Sequence, residues 1–286
     1  MKKLAFLKRI VILTSIIILV TIVDSCSNRQ EIPIGVCTSI DNNELIFNTG
    51  YSYIEEHVQK FLVPMSSDDE FAENLKKLES SKLSVEACNS FIPGSLKSVG
   101  KEADHDKIAL YAETAFRRAK EAGIGIIVFG SGGSRRIPEG FSPDQARNQF
   151  ISLGKILGPI AGQYGVTIVL EPLNKRECNF INSVSEAGEL VKEIDHPNFL
   201  LLADIYHMNM DDEGPESIIK YGYLIRHVHI AEEVDRAAPG THNEDFRPYF
   251  EALDKVNYKG RISIECRWES MENQAGIAIE AIRSQL

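Results

Sequence analysis

The stretch "TIVLEPLNKREC", Thr167 to Cys178, runs an apolar segment straight into a carboxylate at Glu171, then a proline, then a second acid at Glu177. Three later apolar stretches behave alike. "LLLADIYHM" ends in Asp204 with His207 three residues on, "RHVHIAE" carries His227 and His229, and "ISIECRW" carries Glu265. If these segments are neighbouring strands of one sheet, two glutamates, one aspartate and one histidine converge at one level. Three carboxylates buried together lose hydration and repel one another. A divalent cation removes that cost. An oxygen-rich donor set with one imidazole suits Mn²⁺ first, with Mg²⁺ or Co²⁺ as alternatives, better than a structural zinc, which prefers sulfur and nitrogen. The residues therefore predict one cation held by Glu171, Asp204, His229 and Glu265. Side chains alternate along a strand, so His227 and His229 share a face. The one nearer the strand end serves the metal, and His227 reads as a packed histidine one layer below.

The elements that must position these groups follow from periodicity. Eight strand-like runs can be marked: "IPIGVCTS", "YSYIEEHV", "KLSVEAC", "GIGIIVFG", "VTIVLEP", "FLLLADIY", "RHVHIAE" and "RISIECRW". Between them lie stretches with apolar residues at three- and four-residue spacing, as one buried helical face requires; Ala112, Ala115, Phe116 and Ala119 form such a stripe. Ser66-Ser67-Asp68, Ser142-Pro143-Asp144 and Ser183 suit helix starts, and Gly123 and Gly165 suit stops. The first helix must fit in the short "DNNELIFNTG", and "SYIEEHVQKF" fits either period.

Strict alternation of doubly buried strands with helices implies a parallel sheet. Eight units in about 250 residues predict a (β/α)8 TIM barrel, whose sites lie at the C-terminal strand ends. No strand is followed by a dinucleotide-binding glycine fingerprint, and "FGSGGSRR", Phe129 to Arg136, reads as a loop at the barrel mouth.

The segments "LEPLNKRECNFINSV", "ADIYHMNM", "HVHIAEEVDRAAPG" and "ISIECRW" together resemble the xylose-isomerase-like barrel proteins, the sugar phosphate isomerases and epimerases. Within that family the likeness is nearest to ketose 3-epimerases and hydroxypyruvate isomerases, and it covers most of the chain from Ile34 onward. The resemblance implies the same four metal ligands, with Glu171 and Glu265 also exchanging protons with substrate. It further implies that Glu177, His207 and Arg236 hold the substrate. The expected activity is metal-dependent isomerisation or epimerisation of a ketose or keto-sugar through a metal-bound enediolate. Two other outcomes of the same site are a 3-keto-glycoside lyase or hydratase and a degenerate sugar-binding lipoprotein. A metal-dependent nuclease on the same barrel is disfavoured, because the acidic chain lacks the Lys/Arg surplus that nucleic acid requires.

The N-terminus reads separately. Basic "MKKLAFLKR" precedes the apolar run Ile10 to Val23, which is short for a membrane span of ~20 residues and suits a signal-peptide core. "VDSC", ending at Cys26, follows. The pattern resembles a bacterial lipoprotein signal over residues 1–25, with a single barrel domain over 26–286. Its removal takes four basic residues and Asp24, so the formal charge of −10 becomes about −13. The chain has 286 residues and is 43% hydrophobic and 25% charged, enough for a large core. None of its five cysteines forms a CxxC pair, and no structural disulfide is expected. The only membrane association expected is the lipid anchor at Cys26, which would place the protein outside the cytoplasm, facing the periplasm or cell surface. The expected partner is a small-molecule sugar, and a homo-oligomer is compatible with the sequence.

Cys26→Ser tests the anchor. It should move the protein from the membrane fraction to the soluble exported pool, or stall its processing. A wild-type protein that is soluble with residues 1–9 intact would contradict the signal.

Overall fold

The structure, a computed structural model, describes residues 32–286. The expected signal segment and Cys26 lie outside the described residues. Eight parallel strands close into a barrel in chain order: β1 Ile34–Cys37, β2 Tyr53–His57, β3 Val85–Asn89, β4 Ile126–Phe129, β5 Thr167–Leu170, β6 Phe199–Asp204, β7 Ile225–Ile230 and β8 Ile262–Ile264. β8 pairs back onto β1, so no strand edge is left open. The (β/α)8 architecture expected from the alternation is the observed one.

Ten helices are described: α1 Asn43–Asn48, α2 Asp68–Ser80, α3 His105–Glu121, α4 Gly132–Arg135, α5 Pro143–Gln163, α6 Val184–Ile194, α7 Ile205–Met210, α8 Glu216–Tyr221, α9 Arg247–Lys255 and α10 Met271–Arg283. The serine caps fall where the sequence put them. Ser67, Ser142 and Ser183 accept from the backbone N–H three residues on, which satisfies a donor that the first helical turn leaves free. Gly123 and Gly165 follow α3 and α5 with φ of +75° and +72°, which a side chain would resist.

Two boundaries differ from expectation, each for a local reason, and a third falls where it was expected. "SYIEEHVQKF" is both elements in succession: β2 ends at His57, and Val58–Leu62 forms one wide helical turn. The sixth strand ends at Asp204 as expected, and that carboxylate caps α7. The glycine-rich "FGSGGSRR" is not all loop, since it contains the single turn α4, entered through Ser131 at φ 43°.

The barrel interior is divided. Ala87, Ile126, Val128, Val169 and Leu202, from β3 to β6, form a separate apolar cluster. The facing half, from β7, β8, β1 and β2, holds His227, His229, Ser263, Glu55 and Tyr53, all essentially inaccessible to solvent. A second, larger apolar core lies between the barrel and its helices. One half of the barrel is thus filled by dispersion contacts and the other by hydrogen bonds, with His227 Nδ1 alone among these five side chains left without a hydrogen-bond partner.

Candidate metal and active site

Period-two alternation aims every second strand residue into the barrel, and the last inward position on β5 to β8 is acidic or imidazole. Register aligns them: Asp204 pairs with His229, and His229 with Ser263, two residues before Glu265. One ligand atom from each of Glu171, Asp204, His229 and Glu265 lies within 4.8 Å of the other three. Donors around one cation at ~2.0–2.6 Å can be no further apart than about 5 Å, so the four fit a single divalent ion. His229 Nδ1 lies 3.2 Å from Glu171 Oε1 and 3.3 Å from Glu265 Oε2. Asp204 divides its two oxygens. Oδ1 accepts from the amides of Tyr206 at 2.9 Å and His207 at 3.4 Å, while Oδ2 is buried without a hydrogen bond. A buried carboxylate oxygen left unpaired at the centre of a four-donor cluster is what a cation site requires.

The charges of the protein groups compensate only in part. Burial pushes the Glu171 carboxyl above its usual range, opposed by His229 and reinforced by Glu265. Burial raises Asp204 too, against the pull of Arg236. Glu265 goes the other way: burial is overcome by Arg236 and His229, which hold it down at about 2. Burial would depress His229, but Glu55, Glu265 and Glu171 together keep its pKa well above the ordinary histidine value.

The three residues expected to hold substrate also reach the site. His207, on α7, accepts at Nδ1 from the Asn174 backbone N–H at 3.2 Å and lies 2.8 Å from the Asn174 side-chain amide. Its Nε2 therefore carries the proton in the neutral ring, and that nitrogen is buried without a partner, 3.5 Å from Asp204 Oδ2. Burial depresses His207, which favours this neutral form. Arg236 pairs with the Glu265 carboxylate, donates from Nε to its carbonyl at 3.1 Å and stacks on Tyr206 with 4.6 Å to the ring centre. It also approaches Asp204 Oδ2 at 3.6 Å and Glu177 Oε1 at 3.8 Å. The turn that aims it inward holds Asp235 and Arg236 both at positive φ, 60° and 53°. Glu177 is the most exposed of the three and takes 3.3 Å from the Asn174 amide.

Sequence reasoning missed several contributors. Asn174 links Glu177 to His207, but an asparagine in "PLNK" reads as an ordinary turn residue. Asn89, ending β3, donates to Glu265 at 3.2 Å. Gly130 makes room for the β5 carboxylate: a Cβ there would lie 2.0 Å from Glu171 Oε2. Beside Glu265 a cavity of about 440 Å³ opens over β1 to β3, lined among others by Cys37, Thr38, His57, Lys60, Asn89 and Ser90.

The model of the xylose isomerase-like TIM barrel family matches residues 44–285. The chain belongs to that family. Among curated members it is 32% identical over 149 residues to the L-ribulose 3-epimerase of Methylomonas sp. (strain DH-1), covering 45% of this chain and 52% of that protein. It is 32% identical over 155 residues to the 3-dehydro-D-guloside 4-epimerase of Escherichia coli (strain K12), covering 52% and 59%. The chain thus spans between half and three-fifths of the length of these relatives. The crystal structure of D-allulose 3-epimerase from Methylomonas sp. in complex with D-allulose has the same fold, with a TM-score of 0.75 at 22% identity, over 90% of this chain and 98% of that one.

Gly130→Ala should drive the Glu171 carboxylate from its place without disturbing the apolar core. Mn²⁺ affinity is expected to fall about 10–100-fold, as for other changes that misdirect a ligand, while the far-UV circular dichroism stays that of the wild type. Unchanged affinity would show that Glu171 does not depend on this clearance.

Proposed function

We propose that the protein is a divalent-metal-dependent sugar epimerase or isomerase, acting on a ketose or keto-sugar by proton transfer beside the carbonyl. The observation that carries this reading is the pair of glutamates within the four-donor cluster. Glu171 follows β5 and Glu265 follows β8, three strands apart around the rim, with the His229 ring between them. A sugar seated over the cluster has one carboxylate towards each face. The curated relatives named above are epimerases of a ketose and of a 3-dehydro-glycoside, which supports the same substrate class here.

Glu171, Asp204, His229 and Glu265 would hold the cation, with Mn²⁺ the first candidate and Mg²⁺ or Co²⁺ the alternatives. When bound, it supplies Lewis-acid polarisation of a ketone oxygen and an adjacent hydroxyl, which acidifies the neighbouring C–H. One glutamate removes that proton, and the C–H electron pair moves into the developing enediolate. The other glutamate returns a proton from the opposite face, which inverts the carbon with no redox change. Return of the proton to the adjacent carbon instead interconverts ketose and aldose. His207 donates from Nε2–H to a substrate oxygen, its tautomer set by Asn174. Arg236 orients Glu265, and Glu177 accepts from a sugar hydroxyl. The cavity over β1 to β3, with its hydroxyl, amide and charged lining, receives the hydroxylated remainder of the substrate. An exported protein tethered at Cys26 would meet such sugars outside the cytoplasm.

A ketose or 3-keto-glycoside incubated with the protein in D₂O should gain deuterium beside the carbonyl without a nicotinamide and without release of an aglycone. Glu171→Gln and Glu265→Gln should each lower turnover by about 10²–10⁴-fold, since an amide cannot take the proton. Chelation should abolish exchange, and Mn²⁺ or Co²⁺ should restore it. Exchange that survives rigorous metal removal would sink the reading. Liberation of an alcohol from the glycoside would reassign the site to elimination, and binding without exchange would reassign it to sugar capture.

A further inference from the structure

Below the four-donor cluster lies a buried carboxylate to which the reaction above gives no role. Glu55, on β2, is 1% exposed. Its Oε1 lies 2.9 Å from His229 Nε2. Its Oε2 lies 2.7 Å from His227 Nε2 and accepts from Ser263 Oγ at 2.7 Å. The Tyr53 hydroxyl closes the chain on Ser263 Oγ at 2.8 Å. Gly35 leaves the space for the Tyr53 ring, since a Cβ there would lie 2.3 Å from ring carbons. Groups from β7, β8 and β2 itself thus satisfy one carboxylate, with β1 clearing the space, and a buried carboxylate with fewer partners would be strongly destabilising.

Burial alone explains why Glu55 has partners but not which ones. The decisive contact is that a single imidazole joins both networks. His229 presents Nε2 to Glu55 and Nδ1 to Glu171 and Glu265. A neutral imidazole has one donor and one acceptor nitrogen, and an ionised carboxylate only accepts. Without a cation, carboxylates at both nitrogens favour the doubly protonated ring; once a cation takes Nδ1, the ring is neutral, Glu55 keeps the remaining proton on Nε2, and the Nδ1 lone pair faces the cation. Ser263 and His227 fasten the second Glu55 oxygen, so the carboxylate cannot rotate away from the ring.

We propose that Glu55 is a positioning residue for the metal centre: it fixes His229 as the Nε2–H tautomer and aims Nδ1 at the cation. This rests on the metal-site reading given above. It requires no contact between Glu55 and substrate. Partners of this kind typically account for 10–100-fold in metal affinity.

The test is Mn²⁺ binding to the full chain by competition with a chelator, together with the visible absorption of the Co²⁺-loaded protein. Glu55→Gln should weaken Mn²⁺ about 10–100-fold and alter the Co²⁺ spectrum, with the far-UV circular dichroism retained. Glu55→Asp, too short to reach the ring, should not rescue affinity. Tyr53→Phe, which removes only the far end of the chain, should lower thermal stability and leave affinity unchanged. Wild-type affinity and spectrum in Glu55→Gln would overturn the proposal. Should that variant fail to fold, ¹⁵N-histidine resonances of the wild type decide. The Nε2 proton of His229 should persist on loading with Zn²⁺ while the Nδ1 signal shifts, and loss of that proton would overturn it. A wild type that binds no divalent cation would instead defeat the metal-site reading itself.

Discussion

Mutual repulsion among three carboxylates at one end of a closed barrel is the constraint on which the rest of the site depends. Glu171, Asp204 and Glu265 are brought within reach of one another by strand register. The barrel cannot relax them apart without breaking the ladder. Surrounding groups respond to that concentrated charge. Arg236 is turned inward through two left-handed residues to pair with Glu265. His229 stands between the carboxylates, and α7 spends its N-terminal amides on Asp204. Each response offsets part of the repulsion, and Asp204 Oδ2, though approached by Arg236 and His207, is still left without a hydrogen bond. The arrangement is balanced when a cation takes the remaining charge.

The divided barrel interior follows from the same constraint. An imidazole ligand at the rim needs its second nitrogen satisfied one layer lower, and the polar half of the barrel does that. The apolar half, on β3 to β6, has no such obligation and packs as aliphatic side chains. The asymmetry extends to the surface. The polar cavity opens over β1 to β3, while the proposed ligands come from β5 to β8.

Much of this was legible in the sequence because it rests on one-dimensional periodicities. Eight apolar runs gave the barrel, and strand-end acids gave the four-donor cluster, since both depend on position within a run. What escaped depends on distances across the barrel. Glu55 sits in "YIEEHV", where adjacent acids suit a helix or a strand. Only once β2 is known to end at His57 does alternation turn Glu55 inward. Gly130 and Gly35 matter through the side chain each one faces, Glu171 in one case and Tyr53 in the other. No linear pattern records that pairing. The strand end at Asp204 was legible from its acid, but not that the same carboxylate caps the helix that follows.

That shared carboxylate has an evolutionary consequence. Asp204 and His207 are locked into one capped turn, so the proposed metal ligand and the proposed substrate donor cannot drift independently. A substitution that shifts one shifts the other, and selection is expected to hold this corner of the barrel rigid across lineages. Thr38, His57 and Ser90, which line the cavity, instead stand at or just beyond the ends of three separate strands on the other side of the same rim, each on its own stretch of backbone. On the proposed function, divergence in which sugar is accepted should therefore accumulate on β1 to β3, leaving the proposed acid–base pair inherited intact.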